Sequence, residues 1–226
     1  DQSDLDYVQS LVDKNPDYFA TYQRPELGDF LYADANHDGN LDANDRIEIG
    51  NGDSPAFTFG SNIGISWKGF DFSIFMQGIG KRDLWLDGCY FWGANGQGNE
   101  WQSTGFAEHW DFFRPEGDPL GANLNSYYPR VNFSGDRNTK VQTRYLQNGA
   151  YLRLKNVQLG YTLPRVWTEK AGISSVRVYV SGDNLATITS LSKIFDPEAT
   201  GSLAGTGSGK LYPLQRVISV GVNVNF

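Results

Sequence analysis

The segment FTFGSNIGISW, residues 57–67, alternates large apolar side chains with small or polar ones over its whole length. Successive side chains of a β-strand point to opposite faces of a sheet, so this period of two predicts a strand with one apolar face. Lys68-Gly69 then predicts a tight reversal, and residues 70–77 resume the alternation. The sequence therefore predicts a β-hairpin.

Three further segments predict strands with an apolar face. Residues 150–162 alternate with a phase slip near Lys155-Asn156, which indicates a β-bulge. Residues 176–186 and 218–226 also carry apolar side chains at alternate positions. We therefore expect an all-β chain of about five strands, preceded by a short amphipathic helix within residues 4–15.

The connections between these strands alternate between short and long. Two residues join the first pair, residues 80–148 separate the second strand from the third, a short turn near Pro164 follows, and residues 190–210 form another long loop. Long outer loops and short periplasmic turns are typical of outer-membrane β-barrels. This pattern predicts extracellular long loops, including residues 1–53, and a periplasmic C-terminus.

The two faces of the predicted strands also favour a transmembrane barrel. The apolar rows suit lipid, whereas the opposite face, which is mostly Gly, Ser, Thr and Asn, predicts a wall of small uncharged groups facing a lumen. An open sheet edge in lipid would leave backbone groups unpaired, and five strands cannot close a barrel. We therefore expect the C-terminal segment of an incomplete transmembrane antiparallel barrel.

Composition excludes several classes of function. The formal charge of -7 and the absence of a Lys/Arg cluster argue against nucleic acid as a partner. Cys89 is the only cysteine, so neither an intramolecular disulfide nor a cysteine metal cluster is expected. His37 and His109 have no suitably spaced partners, and no Gly-x-Ser-x-Gly motif occurs. We predict no catalytic residues and no enzymatic activity.

The clearest chemical motif is DANHDGNLDAND, residues 34–45. Oxygen-bearing side chains at positions 1, 3 and 5, a glycine at 6, a backbone carbonyl at 7 and a carboxylate at 12 match the spacing of a Ca²⁺-binding loop. The predicted ligands of a structural Ca²⁺ are Asp34, Asn36, Asp38, Asn40 and Asp45. The alternative is a cluster of Asx-turns that only satisfies its own backbone.

Aromatic residues crowd the long loop between the second and third predicted strands. They are Trp85, Tyr90, Phe91, Trp92, Trp101, Trp110, Tyr127 and Tyr128. Such side chains either form the core of the loop or stack against a ligand or partner. Core packing is the favoured interpretation because a loop of this length must bury side chains to be ordered. No individual substrate-binding residue is predicted.

The chain carries an ordered set of short motifs between Gly28 and Phe226. They are GDF at 28–30 with DANHDG at 34–39, KGFD at 68–71, FMQG at 75–78, YPR at 128–130, YLRLKNV at 151–157, LGY at 159–161, VYVSG at 178–182, DPE at 196–198 and YPL at 212–214. This ordered set resembles the SusC/RagA family of TonB-dependent outer-membrane transporters.

The resemblance implies a barrel of about 22 strands around a plug. It also implies import of glycans or peptides, powered by TonB, with a SusD-like surface lipoprotein as partner. Residues 1–54 would be an extracellular loop segment with the Ca²⁺-like loop, and residues 55–226 the C-terminal strands with their extracellular loops. The remaining partners would be outer-membrane lipid and the rest of the barrel and plug, and the cargo is not predicted.

A secreted, Ca²⁺-binding β-sandwich that binds glycans is the alternative function. It would also show short strands, aromatic side chains and an Asp-rich loop. Such a module should refold alone in water, whereas separated barrel strands should aggregate because their edges and lipid face would be exposed.

Overall fold

The computed structural model describes residues 2–96, 105–133, 136–199 and 212–226. Its strands are β1 Phe57–Trp67, β2 Phe70–Gly80, β3 Asp83–Trp85, β4 Leu146–Asn148, β5 Tyr151–Thr162, β6 Ser175–Thr189 and β7 Val217–Asn225. Its α-helices are α1 Gln2–Lys14, α2 Cys89–Trp92 and α3 Arg165–Thr168. Within those ranges, no helix has the length and apolarity needed to cross a bilayer.

Five strands form one antiparallel sheet in the order β1-β2-β5-β6-β7, and β3 pairs with β4. The β1–β2 hairpin is confirmed. Lys68 and Gly69 have φ angles of 48° and 87°, the left-handed values that a two-residue hairpin turn of type I′ requires. A Cβ on Gly69 would also lie 2.9 Å from the carbonyl oxygen of Thr162, so two constraints favour glycine there.

The predicted bulge in β5 is confirmed as well. Leu154 and Asn156 are paired with both neighbouring strands, but Lys155 between them has no partner in either one. The extra residue reverses the alternation, so Leu154 and Val157 lie on the same face of the sheet. The bulge thereby keeps the apolar row continuous along a strand whose sequence changes phase.

The register of the five strands places the apolar side chains on one face. Ile218 and Val220 in β7 remain 71% and 81% exposed. This apolar face carries Phe57, Phe59, Ile63, Ile65, Trp67, Phe70, Phe72, Ile74, Met76, Leu152, Leu154, Val157, Leu159, Tyr161, Val176, Val178, Val180, Ile188, Ile218, Val220, Val222 and Val224.

The expectation that the opposite face is built of small uncharged groups was wrong for β2, β5 and β6. Asp71, Arg153 and Arg177 lie on this polar face. They are tolerated because each faces an opposite charge on another part of the chain: Arg177 pairs with Asp71, and Arg153 with Asp196. Pattern alone could not align these partners.

The chain divides into two compact units. Residues 51–84, 148–199 and 212–226 form the sheet unit, whereas residues 2–50 and the described part of 85–147 form the loop unit. The described part of residues 85–147 therefore packs with the first fifty residues. The functional division at residue 54 stays a prediction. The core of the loop unit is aromatic, with Phe91 and Tyr145 fully buried.

Candidate functional site

The polar face of the sheet carries an ion pair that reaches across a strand. Nε of Arg177 in β6 donates to Oδ1 of Asp71 in β2 at 2.9 Å, and Nη2 donates to Oε1 of Gln158 in β5 at 2.9 Å. Gly160 lies between the two partners, and a Cβ there would come within 2.5 Å of Nη2 of Arg177. The missing side chain at Gly160 therefore makes room for the ion pair.

A second charged cluster on the polar face centres on Arg153, whose side chain is 5% exposed. Its Nη2 lies 2.8 Å from Oδ1 of Asp196, and its Nε donates to Oγ1 of Thr187 at 2.7 Å. Its Nη1 lies 3.2 Å from Oε1 of Glu198 in an ion pair without hydrogen-bond geometry. Lys155, the bulged residue, pairs with Glu198 at 2.9 Å.

Asp196 connects both ends of the segment between β6 and β7. Its carboxylate accepts hydrogen bonds from the backbone N–H of Glu198 at 2.9 Å and of Leu214 at 3.0 Å. Burial acts to raise the pKa of Asp196, but these two donors together with Arg153 outweigh burial and lower it. The carboxylate is therefore held ionised against β5.

The Asp-rich loop folds around its own backbone donors. Oδ2 of Asp34 accepts from the N–H of Gly39, Oδ1 of Asn36 from that of Asp38, and Oδ1 of Asp38 from that of Asn40, each at 2.9 Å. Gly39, with a φ of 83°, makes the sharp turn that the spacing predicted. The loop thus brings four of the five predicted ligands into one set of consecutive turns.

Asp45, the fifth predicted ligand, closes the loop. Its Oδ1 accepts from the N–H of Ala35 at 2.9 Å and its Oδ2 from that of Asp42 at 2.7 Å. Burial acts to raise the pKa of Asp45, but hydrogen bonds from these N–H groups and from Asn36 outweigh it and lower the pKa. The side chain of Asp34 also lies beside this carboxyl group.

The geometry of the loop suits a cation in one respect and not in another. Oδ1 of Asp34 is buried without a hydrogen-bond partner, which leaves an acceptor beside the carboxylate of Asp45. Across the described ranges, however, no three His, Cys, Asp or Glu side chains converge as metal ligands. The loop is therefore closed by Asx-type turns, and Ca²⁺ stays a prediction.

A cavity of about 650 Å³ adjoins this loop within the loop unit. We call it the Tyr32 cavity. It is lined by Tyr22, Leu31, Tyr32, Ala33, Ala35, Leu41, Asp42, Asp45, Arg46, Ile47, Ile49, Thr139, Lys140, Val141, Gln142 and Thr143. Sequence reasoning missed it because its walls come from two segments that are about 100 positions apart.

The aromatic residues of the long loop divide between core and surface. Phe91 and Tyr128 are buried, and their ring centroids lie 5.7 Å apart. Tyr145, which sequence reasoning had not singled out, completes this cluster at 5.0 Å from Phe91. Trp110 is exposed and lies beneath the guanidinium of Arg114 at 5.7 Å.

The other predicted aromatic residues have intermediate environments or fall outside the described residues. Trp85, Tyr90, Trp92 and Tyr127 are half-buried. Trp101 lies outside the ranges that the structure describes. Packing therefore accounts for Phe91 and Tyr128, and no ligand contact is assigned to any of the set.

Motifs that are distant in sequence meet in space. Nε of Arg130, from the YPR motif, donates to Oδ1 of Asp29, from the GDF motif, at 2.8 Å. Likewise Asp71 of KGFD lies beside Gly160 of LGY, as described above, and Arg153 of YLRLKNV pairs with DPE. The motifs are thus contact partners within each compact unit.

Comparison with known proteins gives a consistent assignment. No protein-family model matches the chain. TonB-dependent receptor P3 of Formosa agariphila is 32% identical over 209 residues, which cover 88% of this chain and 19% of the receptor. TonB-dependent receptor P26 of the same organism is 30% identical, again over 88% of this chain and over 20% of the receptor.

Solved structures of the RagAB peptide importer resemble this fold. The "open-open" state has a TM-score of 0.61 and 26% identity, and covers 83% of this chain and 19% of the matched chain. The "closed-closed" state has a TM-score of 0.61 and 27% identity, and covers 84% of this chain and 20% of the matched chain. The chain thus spans about one fifth of these relatives. These relatives and the two faces of the sheet together show that the chain belongs to the SusC/RagA family of TonB-dependent transporters. It is a segment of the transmembrane β-barrel with its loops.

Proposed function

We propose that this chain is part of an outer-membrane importer of glycans or peptides that is powered by TonB and works with a SusD-like surface lipoprotein. One structural observation carries the proposal: the sheet has a continuous exposed apolar face, and its ion pairs lie on the other face. The names of the relatives, receptors and a peptide importer, support transport rather than catalysis. The proposal gives the chain no enzymatic role.

The β-sandwich alternative fits the sheet less well. In a sandwich, the apolar rows of two sheets pack against each other and are removed from water. Ile218 and Val220 are instead largely exposed, and so are most apolar side chains of β1. Lipid is the solvent in which such a face is favourable.

The connections support an orientation in the membrane. Two residues join β1 to β2 and a short helical segment joins β5 to β6, whereas the β2–β5 and β6–β7 connections are long. We place the long connections and residues 1–53 outside the cell, and the two short turns and the C-terminus in the periplasm. Cysteine labelling of intact cells at an exposed residue of each long connection would test this placement.

Transport is tested with the full-length protein that contains this segment. A strain that lacks the gene should lose growth on one glycan or peptide source, and the intact gene should restore growth only when TonB is functional. Restored growth without TonB, or recovery of the full-length protein in the aqueous fraction without detergent, would contradict the proposal.

We also propose that the Asp-rich loop binds a structural Ca²⁺ through Asp34, Asn36, Asp38, Asn40 and Asp45. The support is the ligand spacing and the unpartnered Oδ1 of Asp34 beside Asp45. In this arrangement the ion would neutralise the clustered carboxylates and would anchor the outer loop.

Terbium luminescence of the full-length transporter, displaced by Ca²⁺, would test the metal site. The double variant Asp34→Asn and Asp45→Asn should lose the signal. Asp53→Asn, an exposed aspartate outside the loop, is the matched control and should retain it. Equal signals from both variants would leave the Asx-turn interpretation standing.

A further inference from the structure

The connection between β6 and β7 turns back over the sheet after β6 ends at Thr189. Oδ1 of Asp196, in this connection, lies 2.8 Å from Nη2 of Arg153 in β5. In the sheet Arg153 pairs with Thr187, inside the end of β6, and its Nε donates to Oγ1 of Thr187 on the polar face. The chain has therefore folded back onto the polar face by the time it reaches Asp196.

Glu198 makes a second contact further from the end of the strands. Nζ of Lys155, the bulged residue, donates to Oε2 of Glu198 at 2.9 Å. β5 begins at Tyr151, so at 3.4 Å per residue the contacts with Arg153 and Lys155 lie roughly 7 and 14 Å along the strand. The connection thus runs inward along β5 rather than away from the sheet.

The returning chain is packed and includes both apolar and charged groups. Leu191, Ser192 and Phe195 are buried, whereas Ser190 just before them is exposed. The ion pair with Arg153 is buried as well, with side chains that are 5% and 7% exposed. Burial removes the hydration of charged groups and is tolerated when they are paired. The segment therefore has a fixed position on the sheet.

One carboxylate ties both ends of the connection to the wall of the sheet. Oδ2 of Asp196 accepts from the backbone N–H of Leu214 at 3.0 Å, while Oδ1 accepts from Arg153. Nδ2 of Asn184 in β6 donates to the backbone oxygen of Gln215 at 3.0 Å, next to that point. The outgoing and returning parts of the connection are thus held at the same place on β5 and β6.

We propose that residues 191–199 form a strap that folds back into the barrel and narrows the outer mouth of the lumen, with Arg153 as its latch. The proposal rests on the transport function proposed above, because the polar face encloses a lumen only in a closed barrel. A segment packed on that wall occupies part of the lumen. Arg153 is a positioning residue that acts through Asp196, and no contact with cargo is assigned to it.

Carbodiimide cross-linking tests the position of the strap directly. The reagent joins an amine to a carboxylate that touches it, with loss of water, to form an amide. Lys155 and Glu198 of the full-length transporter should therefore be recovered in one linked peptide after proteolysis. Lys140 and Asp136, a more exposed pair in the loop unit, are the control for reactivity. Recovery of the control link alone would overturn the strap.

Thiol labelling from outside the cell tests the latch. In the full-length protein with Cys89→Ser, a membrane-impermeant maleimide is applied to intact cells that carry either Ser192→Cys or Ser190→Cys. The Ser192→Cys thiol should react at least about tenfold more slowly, because its labelling requires local opening of the strap. Addition of Arg153→Met should remove most of that difference, since the strap then loses its buried ion pair with the wall.

Arg177→Met is the matched control for Arg153→Met. It removes an arginine from the same polar face, but Arg177 pairs with Asp71 and lies beside Thr162, at the other end of β5. General loosening of the barrel would speed Ser192→Cys labelling in both variants, whereas release of a latch would do so only with Arg153→Met. Equal acceleration, or fast labelling without either change, would overturn the role of Arg153.

A conservative variant separates the latch from a general loss of stability. Arg153→Lys keeps the charge but not the planar fork of donors, so it should restore part of the slow labelling. It also takes the place of Arg153→Met if that variant does not assemble in the membrane. Labelling of Arg153→Lys at the wild-type rate together with fast labelling of Arg153→Met would support a latch that needs only the charge.

The strap and the transport function can fail separately. TonB-dependent growth without a link between Lys155 and Glu198 would refute the strap and leave transport standing. A linked protein that is recovered in the aqueous fraction without detergent would have no barrel lumen. In that case the segment would have no mouth to narrow, and both proposals would be overturned.

Discussion

Two acidic clusters in the described part of the chain, one in each compact unit, are stabilised in different ways. In the loop unit, Asp34 and Asp45 are held mainly by backbone N–H donors from the same twelve-residue loop. In the sheet unit, Asp196 is held by the guanidinium of Arg153, 43 positions away, together with local donors. Local donors let a loop keep a surplus of negative charge, whereas a sheet face that is buried requires a balanced pair.

Removal of the buried cation should have the largest effect. Arg153→Met would leave Asp196, with a side chain only 7% exposed, without its positive partner, whereas Glu198 would keep Lys155. Breaking a buried pair in this way costs about 3–5 kcal/mol. Urea unfolding of the full-length transporter should show this loss of unfolding free energy as a lower midpoint. Lys170→Met, an exposed cation, is the control, and equal midpoints for the two variants would contradict the comparison.

The two faces of β7 should respond differently to the same substitution. Val220→Arg places a charge on the apolar face and should destabilise the folded barrel by about 2–4 kcal/mol if the site lies near the bilayer midplane. Ser219→Arg, one position away on the polar face, should have a much smaller effect. The measurement is the amount of heat-modifiable, folded protein in outer-membrane fractions, and similar losses for both variants would refute the assignment of faces.

The ion pair between Arg177 and Asp71 should depend on the absence of a side chain at Gly160. Gly160→Ala places a Cβ within about 2.5 Å of the guanidinium, so the ion pair has to move. Because the pair is only partly buried, we expect a loss of about 1–2 kcal/mol in unfolding free energy. Gly105→Ala, where a Cβ meets nothing within 4 Å, should be close to neutral.

The smallest effect is expected in the Asp-rich loop. Asp45→Ala removes the acceptor for the N–H groups of Ala35 and Asp42, which by analogy with helix caps is worth about 1 kcal/mol. The folded pKa of Asp45 lies below the ordinary value of 3.8. The difference from wild type should therefore be complete above that value and fade as the pH falls through the lower folded pKa. A difference that persists in strong acid would contradict this account.

Features that depend on neighbouring residues could be predicted from the sequence. The period of two in residues 57–67, the Lys68-Gly69 turn and the bulge at Lys155 all follow from local backbone geometry, and the structure confirms them. The turn at Gly39 belongs to the same class, because a glycine at that spacing is needed for its left-handed backbone.

Features that depend on register and long-range packing could not be predicted. The pairing of Arg177 with Asp71 joins residues 106 positions apart, and Gly160 has a role only because it lies between them. The contact of Phe30 with Tyr145 and the Tyr32 cavity likewise need segments far apart in the chain. Periodicity places a side chain on a face, whereas only the folded chain decides which partner it meets there.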